Sequence, residues 1–321
     1  MIDMGLLYQV AYDYYVNKKL QREIANELNV SRVQISKYLA KAEEVGIVKI
    51  EVIQPTSESK RIIELKERLM KLFKLKDILI APSYGNHSQT LDGIHKLASN
   101  YVYSAPSAEN PLTIGLGWGS TVYSFVTSNF DESRRNWKII PLTGGSSLIS
   151  SRNFNINHIA HTFAEKIGAT AQLVYLPLLV DGPKKAVLTD SNDYRKINEL
   201  WSNLDVLICS VGYSIPRSPL FNKGLIGEEY IKRLEDNNVV GDILTHYFNE
   251  KGEMIHLGVE ANMINISLEQ IASAKTKLII AYGKQKTKSI LGGLRSRLID
   301  VLVTDADTVE RVLHEAESKG N

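Results

Sequence analysis

Residues 20–39 read LQREIANELNVSRVQISKYL, a stretch that divides into two short helices joined by a tight turn. Ile24, Ala25 and Leu28 mark one apolar face, and Val30, Ile35, Tyr38 and Leu39 mark the matching one. Ala25 is small where the helices would cross. Asn29 fills the turn slot that needs a left-handed backbone, which Asn tolerates better than most residues. Ser31 is placed to cap the second helix, and Gln34, three residues on, completes an S-x-x-Q capping box. A Gln engaged in that way cannot also read a base edge. A two-helix unit of this kind sets the first residues of its second helix in the major groove of duplex DNA. Ser31, Arg32, Val33, Gln34, Ser36 and Lys37 are therefore the candidate DNA contacts. The plainer reading is a helical hairpin with a solvated face. It ranks second because Gly46 is placed as a C-cap and IVKIEV follows with the alternation of a wing strand.

Ahead of this unit, Leu6 to Tyr15 form an apolar, aromatic helix, the third member of a winged-helix core. Residues 1–55 carry seven basic and seven acidic side chains, so net charge lends DNA binding no support. Arg32, Lys37 and Lys41 gather on the second helix, and useful affinity would require several copies on one DNA. The 321 residues suit this small domain plus a larger α/β domain, with boundaries at 1–55, a linker helix over 56–76 and an effector and oligomerisation domain over 77–321. In the linker helix, Ile62, Leu65, Leu69 and Phe73 recur at helical spacing. Such a stripe is usually buried against its own domain, and self-association is the second reading.

Apolar residues at 44%, charged residues at 23% and a net charge of +2 describe a globular chain, not a polyanion-coating one. No window of about 18 apolar residues occurs and the N-terminus lacks a signal pattern, so a cytoplasmic protein with no membrane partner is expected. The one cysteine, Cys209, lies in VLICSVG and reads as a packed strand residue.

From Ile78 onward, apolar runs alternate with helical patterns, the signature of a mostly parallel sheet covered by helices. The candidate strands are DILIAP, LTIGLG, WKIIPLTG, TAQLVYLP, LDVLICSVG, KLIIAYG and IDVLVTD. Ligands of open α/β sheets collect at the carboxyl ends of strands, and four loops fall there. Gly115-Leu116-Gly117-Trp118-Gly119 leads into Ser120 and Thr121 at a helix start, where free N–H groups favour an anion. It fits neither the dinucleotide G-x-G-x-x-G pattern nor a Walker loop. Thr143-Gly144-Gly145-Ser146-Ser147 follows another strand, with Arg152 and Asn157 soon after as an anion donor and an amide for hydroxyls. A surface ion pair accounts for Arg152 nearly as well. Asp242, in VVGDILTHYFNEKGE, reads as the start of a helix, a cap or an acceptor from sugar hydroxyls. Lys284, Lys286 and Lys288 follow KLIIAY, as phosphate partners or as a solvated edge. No catalytic triad order, paired acids or metal-ligand spacing stands out among the scattered histidines.

In the order helix-turn-helix, GLGWGST, PLTGGSS, GDILTHYFNEKGE and YGKQK…GGLRSRLIDVLVTD, the chain resembles, over essentially its whole length, the SorC family of sugar-responsive bacterial transcription regulators. The resemblance implies an effector domain related to ribose-5-phosphate isomerase and glucosamine-6-phosphate deaminase that keeps a sugar-phosphate pocket without turnover. It carries phosphate binding to Gly117, Gly119, Ser120, Thr121, Gly145, Ser146 and Ser147, and effector contact to Asp242 and Lys286, with Arg152 and Asn157 lining the pocket. Two departures stand out. Tyr282-Gly283 replaces the family's paired glycine, placing a ring where it would crowd or stack on a ligand, and Ser146-Ser147 replace the common threonine. The expectation is a non-enzymatic regulator without cofactor or metal, a homotetramer whose grip on operator DNA responds to a phosphorylated sugar or polyol. The rival is a sugar-phosphate isomerase or deaminase fused to a DNA-binding module.

Overall fold

The computed structural model describes residues 3–48, 56–104, 111–130, 136–146, 151–213 and 227–318. It separates into two compact units, Met1–Thr56 and Ser57–Asn321.

The first unit is built on three helices. Helix α1 (Met4–Ala11) runs on into a wider turn, Tyr12–Val16, followed by α2 (Gln21–Glu27) and α3 (Arg32–Glu44). Leu7, Val10, Ile24, Ala25, Ile35, Leu39 and Ala42 form its core, the apolar faces that the helical spacing defines. Asn29 adopts φ +57, and Gly46, at φ +81, ends α3. Ser31 Oγ accepts from the Gln34 N–H at 3.2 Å. The returning half of the expected capping box, from the Gln34 side chain, is not among the bonds at this cap. The expected wing over 47–52 lies largely outside the described residues.

In the second unit seven parallel strands run in the order β1-β10-β9-β5-β2-β3-β4. They are β1 (Asp77–Ala81), β2 (Thr113–Leu116), β3 (Lys138–Pro141), β4 (Thr170–Ala171), β5 (Val206–Cys209), β9 (Thr276–Ile280) and β10 (Val301–Asp305). Side chains alternate between faces as a strand requires. Leu207, Cys209, Ile279 and Leu302 enter one core layer, and Val206, Ile208, Leu278, Val301 and Val303 the other. Of TAQLVYLP only two residues join the sheet. The helix Ser57–Leu72 belongs to this unit, with Leu65 and Leu69 buried in its core, which favours the first reading of that stripe.

One element corrects the sequence reading. Asp242 begins no helix. It sits in β6 (Val239–Ile243), which turns into β7 (His246–Asn249) and then β8 (Met254–Ile255), a separate antiparallel sheet. The turn is Leu244-Thr245, both at positive φ (+52 and +67). Neither is the Asn or Gly that such a turn favours, so nothing local announced a hairpin.

Candidate functional site

Strand order reverses between β2 and β5, because the chain adds β3 and β4 on one side and β9 and β10 on the other. A crevice opens beyond the carboxyl ends of strands at such a switch point. Four of the expected residues meet there with others that sequence did not single out.

Lys286 is the hub. The residue is 7% exposed, and its ammonium donates to Thr121 Oγ1 at 3.0 Å and to Ser210 Oγ at 2.7 Å, joining the segments after β9, β2 and β5. It also lies 5.8 Å from the centre of the Tyr213 ring. Burial lowers its pKa to about 8, against the pull of the Asp242 charge. Asp242 is pushed up by burial, opposed by the Thr245 N–H, which donates to its Oδ2 at 3.0 Å, and by Lys286. Desolvation dominates for both, so each is held in a setting that favours its neutral form. Among the described residues no carboxylate lies within ion-pair distance of Lys286.

Gly212 lets Asp242 approach the loop after β5. A Cβ at Gly212 would fall 1.9 Å from Asp242 Oδ1, and Gly212 and Asp242 pair backbone to backbone, with the Gly212 N–H donating at 2.9 Å. Gly119, at φ +109, is the N-cap of the helix Ser120–Thr127 and opens that helix toward the crevice. Its own N–H donates to the Asn153 carbonyl at 3.0 Å, which brings the turn carrying Arg152 alongside. Gly117 backs onto Cys209, whose thiol is buried and pushed up in pKa by desolvation, an inert packing role. Tyr282 is half-buried, and burial pushes its hydroxyl up in pKa against the opposing influence of Thr121, so its ring borders the crevice.

Other expected residues are differently placed. The Gly145 N–H donates to the Leu176 carbonyl at 2.8 Å, and its own carbonyl accepts from the Leu178 N–H, so this loop is stitched to the 176–178 segment. Asn157 spends its amide on the backbone of Val174, with bonds of 2.8 and 2.9 Å. Ser120 and Arg152 are exposed, Ser146 is half-buried, and Ser147 lies outside the described residues. Lys284 and Lys288, which flank Lys286, line an adjoining open groove of about 740 Å³ with Tyr213, Arg311 and His314. Ser210 and Tyr213 had no sequence signal, because a lone Ser and a lone Tyr after a strand resemble any loop residue.

On the first unit, the candidate contacts occupy the first two turns of α3. Ser31, Arg32, Val33, Ser36 and Lys37 are exposed and Gln34 is partly so. Val33 is 66% exposed, an apolar side chain left largely in solvent. No described helix is long and apolar enough to cross a membrane.

Residues 57–314 match the family described as "Putative sugar-binding domain". The sorbitol operon regulator of Klebsiella pneumoniae is 27% identical over 97% of this chain and 98% of its own. The deoxyribonucleoside regulator of Bacillus subtilis is 24% identical over 94% of this chain and 95% of its own. The crystal structure of the full-length sorbitol operon regulator SorC from Klebsiella pneumoniae superposes with a TM-score of 0.71 at 26% identity, covering 98% of this chain and 99% of that one. The match takes in the seven-stranded unit with the Lys286 crevice, and the full-length likeness extends it through α1 to α3: the chain belongs to the SorC family of sugar-binding transcription regulators.

Proposed function

We propose that the chain is a one-component regulator of a carbohydrate operon, in which the 1–55 region binds operator DNA and the crevice of the larger unit takes a phosphorylated sugar or polyol. The observation that carries the reading is Lys286, an ammonium withdrawn from water and held by two neutral hydroxyls. A buried cation with no carboxylate in ion-pair contact is costly, and a phosphate delivered beside it relieves that cost. The Thr121 hydroxyl and the helix N-terminus behind Gly119 supply further donors. Asp242 accepts from the ligand's hydroxyls. Relatives named for sorbitol, deoxyribonucleosides and erythritol support a sugar-derived effector.

Regulation follows from linkage. An effector that binds the DNA-competent and incompetent assemblies unequally shifts their balance by that difference in affinity. The acting assembly is a homo-oligomer, in our reading a tetramer that presents several copies of α3 to one operator. A thermal-shift screen of phosphorylated sugars, followed by gel shift on the operator, tests this. One class of compound should stabilise the protein and change operator affinity. Equal operator affinity with every compound would overturn it.

One observation favours a second reading. A carboxyl raised in pKa beside a lowered lysine is also what acid–base catalysis on a sugar phosphate uses. Turnover of ketose or aldose phosphates by the purified chain would establish it; their return unchanged supports the regulator.

A further inference from the structure

A chain of hydrogen bonds leads from the Lys286 loop to the helix that follows residue 56. Gly283 opens the loop, and its carbonyl accepts from the Lys286 N–H at 3.0 Å. The Gly283 N–H donates to Thr308 Oγ1 at 2.8 Å, and that hydroxyl donates to Asp305 Oδ2 at 2.5 Å. Asp305 Oδ1 accepts from the Thr308 N–H at 3.0 Å and from Ser83 Oγ at 3.1 Å. Ser83 Oγ in turn accepts from the Asp307 N–H at 2.9 Å. The Asp307 carboxylate accepts from Arg61 Nη2 at 2.8 Å, while Arg61 Nε donates to Glu310 and Nη1 to Glu58. The Arg61 hydrogen bond holds the carboxyls of Asp307 and Glu310 below the usual range.

Two properties make this more than a surface network. Thr308 is 0% and Asp305 7% exposed, so a bond lost there leaves an unsatisfied buried group that water cannot repair. The members also sit on regular elements or directly beside them: the loop just after β1, the end of β10, the loop after β9, the first turn of the helix Ala306–Ser318, and the helix Ser57–Leu72. A shift of Gly283 cannot be absorbed locally without breaking the Thr308 bond or moving the first turn that Arg61 grips.

We propose that Thr308, Asp305, Ser83 and Asp307 are positioning residues that set the Lys286 loop and carry its displacement to Arg61, at the start of the helix through which the chain leads from the DNA-binding region. The assignment of this displacement to ligand occupancy rests on the function proposed above. The mechanical link between the two ends does not.

Amide hydrogen exchange on the full chain separates the two. Thr308→Val keeps the shape of the side chain and removes the hydroxyl, and it should raise exchange over residues 57–64 roughly 2- to 30-fold, the range such couplings span. Arg61→Gln, at a half-exposed position, should raise exchange over residues 283–288 by a similar factor. Effects confined to the mutated end in both variants would overturn the link. If Thr308→Val fails to fold, Arg61→Gln decides alone. Glucose 6-phosphate and inorganic phosphate serve as ligand probes. Protection of residues 57–64 by either probe in the wild type, lost in Arg61→Gln with the probe still bound, extends the link to occupancy. Exchange that responds at both ends while no phosphorylated sugar binds would sink the sugar-phosphate reading and leave the link standing.

Discussion

At the scale of single residues, Lys286 sets the pH behaviour. Its pKa of about 8 lies below the ordinary 10.5 because burial penalises the ammonium. On the function proposed above, the ammonium that would attract a phosphate is therefore largely filled below pH 8 and drains above it. Effector affinity should fall by up to about tenfold per pH unit above 8, with proton uptake on binding, measurable by calorimetry in buffers of different ionisation enthalpy. The stability sign is opposite. Between about 8 and 10.5 the unfolded chain holds the extra proton, so this group's penalty shrinks as pH rises and is fully present below 8. Lys286→Met should consequently raise apo stability at pH 7 by about 1–3 kcal/mol in denaturant titration, while removing the effector response. A variant that loses stability would deny that the ammonium is strained. The sequence marked Lys286 as one of three lysines and left open whether it faced a ligand or solvent. Only burial distinguishes it from Lys284 and Lys288, and burial is not local information.

At the scale of elements, α3 and the helix Ser57–Leu72 were legible because their instructions are local. Ser31 caps, Asn29 takes the left-handed turn and Gly46 ends the helix. Ser31→Ala should cost about 1 kcal/mol in thermal unfolding of the small unit, and Asn29→Gly very little, because both tolerate that backbone. Leu69→Ala should cost about 2–5 kcal/mol, since the side chain is 0% exposed against the helix Ala306–Ser318 and β1. A loss under 1 kcal/mol would mean that the helix is not part of the folded unit. The β6–β7 hairpin was misread for a physical reason. Leu244 and Thr245 are held at positive φ by Asp242, by Asn265, whose amide donates to Thr245 Oγ1 at 2.9 Å, and by burial around them. That strain is stabilised by tertiary contacts, and strained backbone of this sort collects at binding sites.

At the scale of the whole molecule, the function proposed above divides the work between the two units, and their variants should separate it. Arg32→Ala should weaken operator binding with effector affinity unchanged, by gel shift and calorimetry on the same sample, whereas Asp242→Ala should do the reverse. A ligand present at about 100 times its dissociation constant should stabilise the larger unit by about 2.7 kcal/mol, and Lys286→Met should abolish that gain. What the sequence determined by itself was everything written in short-range code: the helix-turn-helix, six full strands and the start of a seventh, the glycine loops at their carboxyl ends, and the ordered motifs that mark the family. Period, capping and turn chemistry act over a few residues, so they survive without a fold. What only the tertiary structure decided was which of those loops share a crevice. Placing β5 between β9 and β2 brought Ser210 beside Lys286 and Thr121. Stitching 143–146 to 176–178 engaged Gly145, and folding β6 back as a hairpin set Asp242 against Gly212 in the loop after β5. Strand order is a global minimum over long-range contacts, and no window of sequence contains it.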